Sequence, residues 1–241
     1  MEFRKLKAEE IDCRVSQIAS NYCTLLLYKD ARVDQNILDE TVGAMNWQKR
    51  YLRDNANCIV GIWDEDKKQW VEKEDTGTES FTEQEKGLAS DSFKRACFNW
   101  GIGRELYTAP SIFIFPRKDM VKQKEDEEPK EFFQNANGKY TTKTRFYVDY
   151  IDYEGNNIAD LVIRDHKGNI RFEELRQKTQ TKFNNEFIKL RKLIQQNEED
   201  NSFNREEFYK FFGVESDSQL TFKQREEAIE LLEKRIKKVS K

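Results

Sequence analysis

Apolar positions along this chain recur with two periods, and each change of period marks out an element. Cys58–Trp63 (CIVGIW) is a short apolar run, Asp64–Lys68 a charged turn, and Gln69–Thr76 a returning segment of alternating character. Together they predict an antiparallel hairpin. The same alternation returns in RFYVDYIDY, IADLVIRD and IRF between Thr144 and Phe172, with turns at Glu154–Asn157 and His166–Asn169. These segments predict a three-stranded meander. CTLLLY (23–28) and SIFIF (111–115) read as single strands, the second ended by Pro116.

The helical period appears in five places. Residues 8–20 read as a short helix. Residues 31–47 form a second, with Val33, Ile37, Leu38, Val42 and Met45 on its core face and Asp30 as its N-cap. A third opens on a Thr82/Glu85 capping box and ends at Trp100 before Gly101, which is suited to a left-handed cap. At about 100° per residue, Ala89, Phe93, Ala96, Cys97 and Trp100 share its core face, and Lys94 and Arg95 fall away from it. Small residues (Gly87, Ala89, Ser90) suit close packing on a sheet. Residues 172–196 carry Phe183, Phe187, Leu190 and Ile194 on one stripe. The tail adds helices at 205–212 and 221–239, the latter opened by a Thr221/Gln224 capping box and carrying Ile229, Leu232 and Ile236 on one side. No internal repeat is visible.

The expected fold class is α+β: an antiparallel hairpin and meander sheet packed against a long helix, with a mostly helical C-terminal region. The expected organisation is a core over 1–116, a charged flexible linker over 117–143, a meander over 144–172 that completes or extends the core, and a helical region over 173–241. The linker reading rests on a run of Lys, Glu, Asp and Gln that buries too little apolar area to order itself.

Composition narrows the chemistry. Of 241 residues 36% are charged and the net charge is −3, so any nucleic-acid contact must come from a local cationic stripe. The mean hydropathy of −0.92 is that of a chain with generous polar surface, which favours an extended or oligomeric molecule. Four scattered cysteines, with no metal-ligand spacing, read as reduced thiols in a cytoplasmic protein. A single histidine, His166, excludes a His dyad or a His-rich metal centre. No signal-peptide or membrane-spanning run is seen. No catalytic residue, cofactor or metal is expected.

Three patches carry a likeness to a known family: ARVDQNILDETVGAMNW, WVEKEDTGTES and, most specific, KGLASDSFKRACFNWGIGRELY. The region from about Glu9 to Tyr107 resembles the Rad fifty-two-like single-strand annealing proteins, in particular those of bacteriophages and mobile elements. The resemblance implies ATP-independent binding of single-stranded DNA and annealing of complementary strands, in homologous recombination and double-strand-break repair, by a ring or filament of identical subunits. Lys94 and Arg95 match the family's paired phosphate-holding cations, Arg32 a further phosphate contact, and Lys86 a basic position. Charge and position add Arg104 and the tip cations Lys49, Arg50 and Arg53. The chain departs from eukaryotic members at Phe98, where another basic residue is usual, and at Met45, where an aromatic is usual. Phe98 is read as a base-stacking, subunit-contact or core residue. The C-terminal helices are expected to contact a neighbouring subunit, a single-strand-binding protein or a partner exonuclease. Two alternatives stand beside this reading: a metal-dependent nuclease using Asp64, Glu72 and Glu74, and a protein-interaction scaffold.

Overall fold

The computed structural model describes residues 1–78, 84–117, 131–199 and 203–239. Its elements, in chain order, are β1 (Asp12–Ile18), β2 (Cys23–Tyr28), α1 (Ala31–Val42), β3 (Trp47–Leu52), β4 (Asn57–Asp64), β5 (Gln69–Thr76), α2 (Gln84–Trp100), β6 (Ile112–Ile114), β7 (Phe132–Gln134), β8 (Tyr140–Thr142), β9 (Phe146–Glu154), β10 (Asn157–Asp165), β11 (Ile170–Glu174), α3 (Gln177–Glu198), α4 (Arg205–Phe211) and α5 (Phe222–Val239). The protein is α+β, with antiparallel sheets. Among the described residues no helix is long and apolar enough to cross a membrane.

The chain divides into two compact units, and the division differs from the expected one. Unit 1 is Met1–Asp12 with Leu27–Ala109; unit 2 is Cys13–Leu26 with Pro110–Lys241. Residues 13–26 therefore leave the expected N-terminal core and join the second unit. They are also not helical. Ile11, Val15 and Ile18 have helical spacing, but the segment forms β1, because neighbouring strands satisfy its backbone.

Unit 1 is the sheet β3-β4-β5 with two helices. In β4 and β5 the register runs from Asn57 opposite Thr76 to Asp64 opposite Gln69, the expected hairpin. β3 was not foreseen: Trp47 opens this strand rather than closing a helix. α1 ends at Val42, where Gly43 has φ of 85°, and Met45 lies beyond it, 90% exposed, not on a core face. Asp30 caps α1 as expected, its carboxylate accepting the Arg32 N–H. Ile37 and Leu38 are fully buried.

Unit 2 holds a six-stranded sheet in the order β11-β10-β9-β1-β2-β6, and the meander β9-β10-β11 is as expected. β10 is buried from Asp160 to Asp165, so both its faces are covered. On one face Tyr150, Val162, Phe183 and Phe222 form an apolar cluster, with the Phe183 and Phe222 rings stacked at 3.8 Å. α3, α4 and α5 share a second core of Leu190, Ile194, Phe212, Leu220 and Leu232. The Thr221/Gln224 box is present: the Gln224 N–H donates to Thr221 Oγ1, and the Thr221 N–H to Gln224 Oε1.

Residues 131–143, the latter part of the expected linker, form the hairpin β7-β8 instead. Residues 118–130 lie outside the described residues. The hairpin is anchored by charge that local composition does not reveal. Arg171 on β11, with 4% side-chain exposure, donates to Glu131 at 2.5 and 3.1 Å, to Asp165 at 3.3 Å and to the Phe115 carbonyl at 2.7 Å. The last bond joins the two outer strands of the sheet, because Phe115 follows β6. Glu131 also accepts the Arg117 N–H and the Thr144 hydroxyl.

Replacing Arg171 by Met should leave Glu131 buried without its side-chain cation and Asp165 with only Arg117, at 3.7 Å. We expect a loss of about 3–5 kcal/mol in urea unfolding. A loss below about 1 kcal/mol would show that this network is not what closes the sheet.

Candidate nucleic-acid interface

Lys94 and Arg95 lie on α2, which packs on one face of the β3-β4-β5 sheet. Phe93, Ala96 and Cys97 are buried, and the Trp100 indole donates to the Val60 carbonyl at 3.0 Å. The close approach that fixes this packing is at Gly77 and Ser92. A Cβ on Gly77 would lie 2.5 Å from the Ser92 backbone nitrogen, and the Gly77 N–H donates to the Ala56 carbonyl at 2.8 Å. Ser92 is buried and donates its hydroxyl to the Asn55 carbonyl at 2.9 Å. Arg53, Asp54 and Asn55 all have positive φ, so the β3-β4 turn folds tightly down onto α2. Thr82 lies outside the described residues, as do the side chains of Glu85 and Lys86.

The two cations diverge. Lys94 lies within electrostatic reach of the start of α1, where it favours the charged forms of Asp30 and Asp34. Arg32 is there too, with its side chain 84% exposed and its Nε donating to Asp30 at 2.9 Å. Arg95 turns toward β5, where its Nε lies 3.3 Å from Asp75. Asp91, which is i,i+4 from Arg95, instead accepts the Thr78 N–H at 2.9 Å.

The remaining cations scatter. Residues paired across an antiparallel sheet share a face, so Lys49, Val60 and Lys73 form one row. Lys73 donates to the Asn99 carbonyl at 2.8 Å, which identifies that face as the α2 side. Lys49 therefore lies on the same face, over the Phe93 ring at 4.4 Å. Arg50 is on the opposite face, paired with Glu72 at 2.7 Å. Arg53 is exposed in the turn. Arg104 folds back on the end of α2, donating to the Phe98 and Asn99 carbonyls at 2.5 and 2.9 Å, where a cation meets unpaired C-terminal carbonyls. Arg32, Lys94 and Lys49 thus border the α1-α2 side, while Arg50 and Arg104 do not join them. The acidic residues of the nuclease alternative are spread as well: Asp64 pairs with Lys67, Glu72 with Arg50, and Glu74 accepts from Asn57. Among the described residues no group of three His, Cys, Asp or Glu side chains is placed to hold a metal ion.

Beneath the α1-α2 side is a feature that sequence reasoning missed. Lys29 and Asp34 form a buried ion pair, at 1% and 0% side-chain exposure. Lys29 runs under the Phe98 ring, with Nζ 4.6 Å from its centroid, and Phe98 in turn meets Tyr107 edge-on. Phe98 is therefore the roof of the ion pair. Gly103, with φ of 75°, leaves room for the lysine: a Cβ there would meet Lys29 Cε at 2.2 Å. Asp34 Oδ2 has no hydrogen-bond partner among the described residues. Burial pushes the Asp34 carboxyl up to about 6, against the opposing pull of Lys29 and Lys94. The available signal was an aspartate one turn before Ile37 and Leu38, inside the apolar stripe.

Comparison with protein-family models, with curated proteins and with solved structures finds no match to this chain. No family is assigned.

Two predictions test this geometry. Because the folded-state value of Asp34 lies above its ordinary 3.8, the bound proton stabilises the fold at low pH, and that increment is lost as pH rises through about 6. The Asp34 carboxyl carbon should titrate near 6 by NMR; a midpoint at or below the ordinary value would contradict the buried placement. Gly77→Ala should push α2 off the β3-β4 turn and cost about 1–3 kcal/mol of unfolding free energy. An unchanged stability would mean that the contact is not tight.

Proposed function

We propose that this protein binds single-stranded DNA along the α1-α2 side of unit 1 and anneals complementary strands without a nucleotide cofactor. The observation that carries the reading is that cations from two different helices serve one acid: Arg32 is bonded to Asp30, and Lys94 lies within electrostatic reach of it. Phosphate oxygens are bound by such fixed cations without reading base identity, which leaves bases free to pair. Asp30 holds Arg32 in place, and an incoming phosphate competes with it for the guanidinium. Arg95 contributes after exchanging Asp75 for phosphate, and Lys49 extends the cationic border along β3.

Few cations serve each subunit, and the chain is net acidic. Affinity therefore comes from many copies acting along one strand, as a ring or filament. Each phosphate contact on a single strand steepens the salt dependence by roughly 0.7 in log–log slope. Annealing follows once repulsion between two bound backbones is neutralised. In this reading the core is of the annealing-protein type, and its work lies in recombination and break repair. Helices α3 to α5 offer the surface for a single-strand-binding protein or an exonuclease.

The deciding experiment is annealing of complementary oligonucleotides without ATP, comparing wild type with Lys94→Ala/Arg95→Ala and with Arg32→Ala, and with oligomer size measured for each. We expect the variants to assemble normally, to lose annealing, and to show a salt slope shallower by about 0.7 per contact removed. A wild type that neither binds nor anneals single strands would refute the proposal.

A further inference from the structure

Unit 2 contains a cavity of about 660 Å³ between the turn that follows β10 and the segment joining α4 to α5. This falls within the range of small-molecule sites, which bury most of a ligand and orient it with a few polar groups. Arg117, His166 and Lys167 line it on one side; Tyr147, Phe212 and Val214 supply aromatic and apolar wall. The same three basic residues also line an adjoining cavity of about 170 Å³ that reaches Lys143. Of the acids nearby, Glu131 and Asp165 pair with Arg171, Asp165 also lies 3.7 Å from the Arg117 guanidinium, which a phosphate would have to share, and Glu215 is exposed on the rim.

The histidine is held in place from both ends. Its backbone N–H donates to the Arg145 carbonyl at 2.9 Å, and its Nδ1 accepts the Arg145 N–H at 3.3 Å. With Nδ1 an acceptor, the neutral ring carries its proton on Nε2, which is then a donor. The turn below is rigid as well. Asp165 accepts the Lys167 and Asn169 N–H groups, and buried Arg164 donates to the Gly168 carbonyl at 2.5 Å. The His166 donor and the backbone that carries Lys167 are thus fixed in advance along one wall, with ring-sized apolar surface beside them. Such a combination suits an anion attached to a planar ring.

We propose that this cavity binds a nucleotide, with its phosphate on Arg117, His166 and Lys167 and its base against Tyr147 and Val214. The nucleotide is either free or the phosphorylated end of a DNA strand; the chemistry recognised is the same. The site belongs to unit 2, whereas Lys94 and Arg95 belong to unit 1, and it stands whether or not unit 1 anneals DNA.

His166 is the single histidine of the 241-residue chain, so its imidazole NMR signals report on this cavity alone. The probes are thymidine monophosphate, thymidine, and short oligothymidylate with and without a terminal phosphate, all at one fixed pH. Thymidine monophosphate or the phosphorylated strand should shift the His166 signals saturably, and thymidine should not. Exposed Lys167, changed to Glu, should weaken that binding by about tenfold or more, while Lys94→Ala/Arg95→Ala leaves it unchanged. Saturation by the free monophosphate points to a nucleotide site; saturation by the phosphorylated strand alone points to a strand-end site. The proposal is overturned if neither phosphorylated probe moves the signals, if the strand without a terminal phosphate shifts them as strongly as the strand with one, or if Lys167→Glu binds as wild type.

Discussion

A chain in which 36% of residues are charged must put some of that charge inside, and an ion taken from water needs a partner of opposite sign and a full set of hydrogen bonds. Both units are organised by that requirement. In unit 2 the Arg171 guanidinium collects two carboxylates and a backbone carbonyl, and in doing so brings together the two outer strands of the sheet and the β7-β8 hairpin. Buried Arg164 does the same for helix and sheet, donating to Asp149 and to the carbonyls of Gly168, Ser218 and Leu220. In unit 1 the Lys29–Asp34 pair sets where the chain enters α1, and Phe98 and Gly103 make room for it. Apolar packing supplies the bulk of each core, and these pairs decide which strand or helix goes where.

The same economy of charge shapes the candidate interface. Lys94 and Arg95 are adjacent in sequence, and about 100° of helical turn gives them different surroundings: Lys94 acts on the acids at the start of α1, and Arg95 meets Asp75 on β5. An Arg-Asp pair at a surface contributes little to stability, which leaves the guanidinium of Arg95 or Arg32 open to exchange with a phosphate. Arg104 is different. Its bonds to two carbonyls at the end of α2 make it part of the scaffold.

Local pattern was legible in the sequence wherever one face of an element meets water and the other meets core. The β4-β5 hairpin, the β9-β11 meander, the Asp30 cap and the Thr221/Gln224 box all follow from neighbours within a few residues. Elements fixed by distant partners were not legible. β1 has helical apolar spacing and is a strand because the sheet accepts it. β3 escaped notice because Lys49 occupies an inward position normally apolar, covering Phe93 with its stem and charge. Glu131 finds its cation 40 residues away, so the composition around it reads as linker. At the site, the residue types and the helix were legible, but the direction of each cation was not, since it depends on Asp30 and Asp75 in other elements.

The path of the chain between units carries one more consequence. Strands β1 and β2 lie between β9 and β6, so the order along the chain and the order across the sheet disagree. Cutting after residue 116, a natural choice for isolating the N-terminal half, would strip β9 from β1 and leave a bare row of N–H and C=O groups. Such an edge is a template for pairing with other chains. A shortened protein of that kind would associate through this scar, and an assembly seen with it would report on the cut rather than on the native molecule.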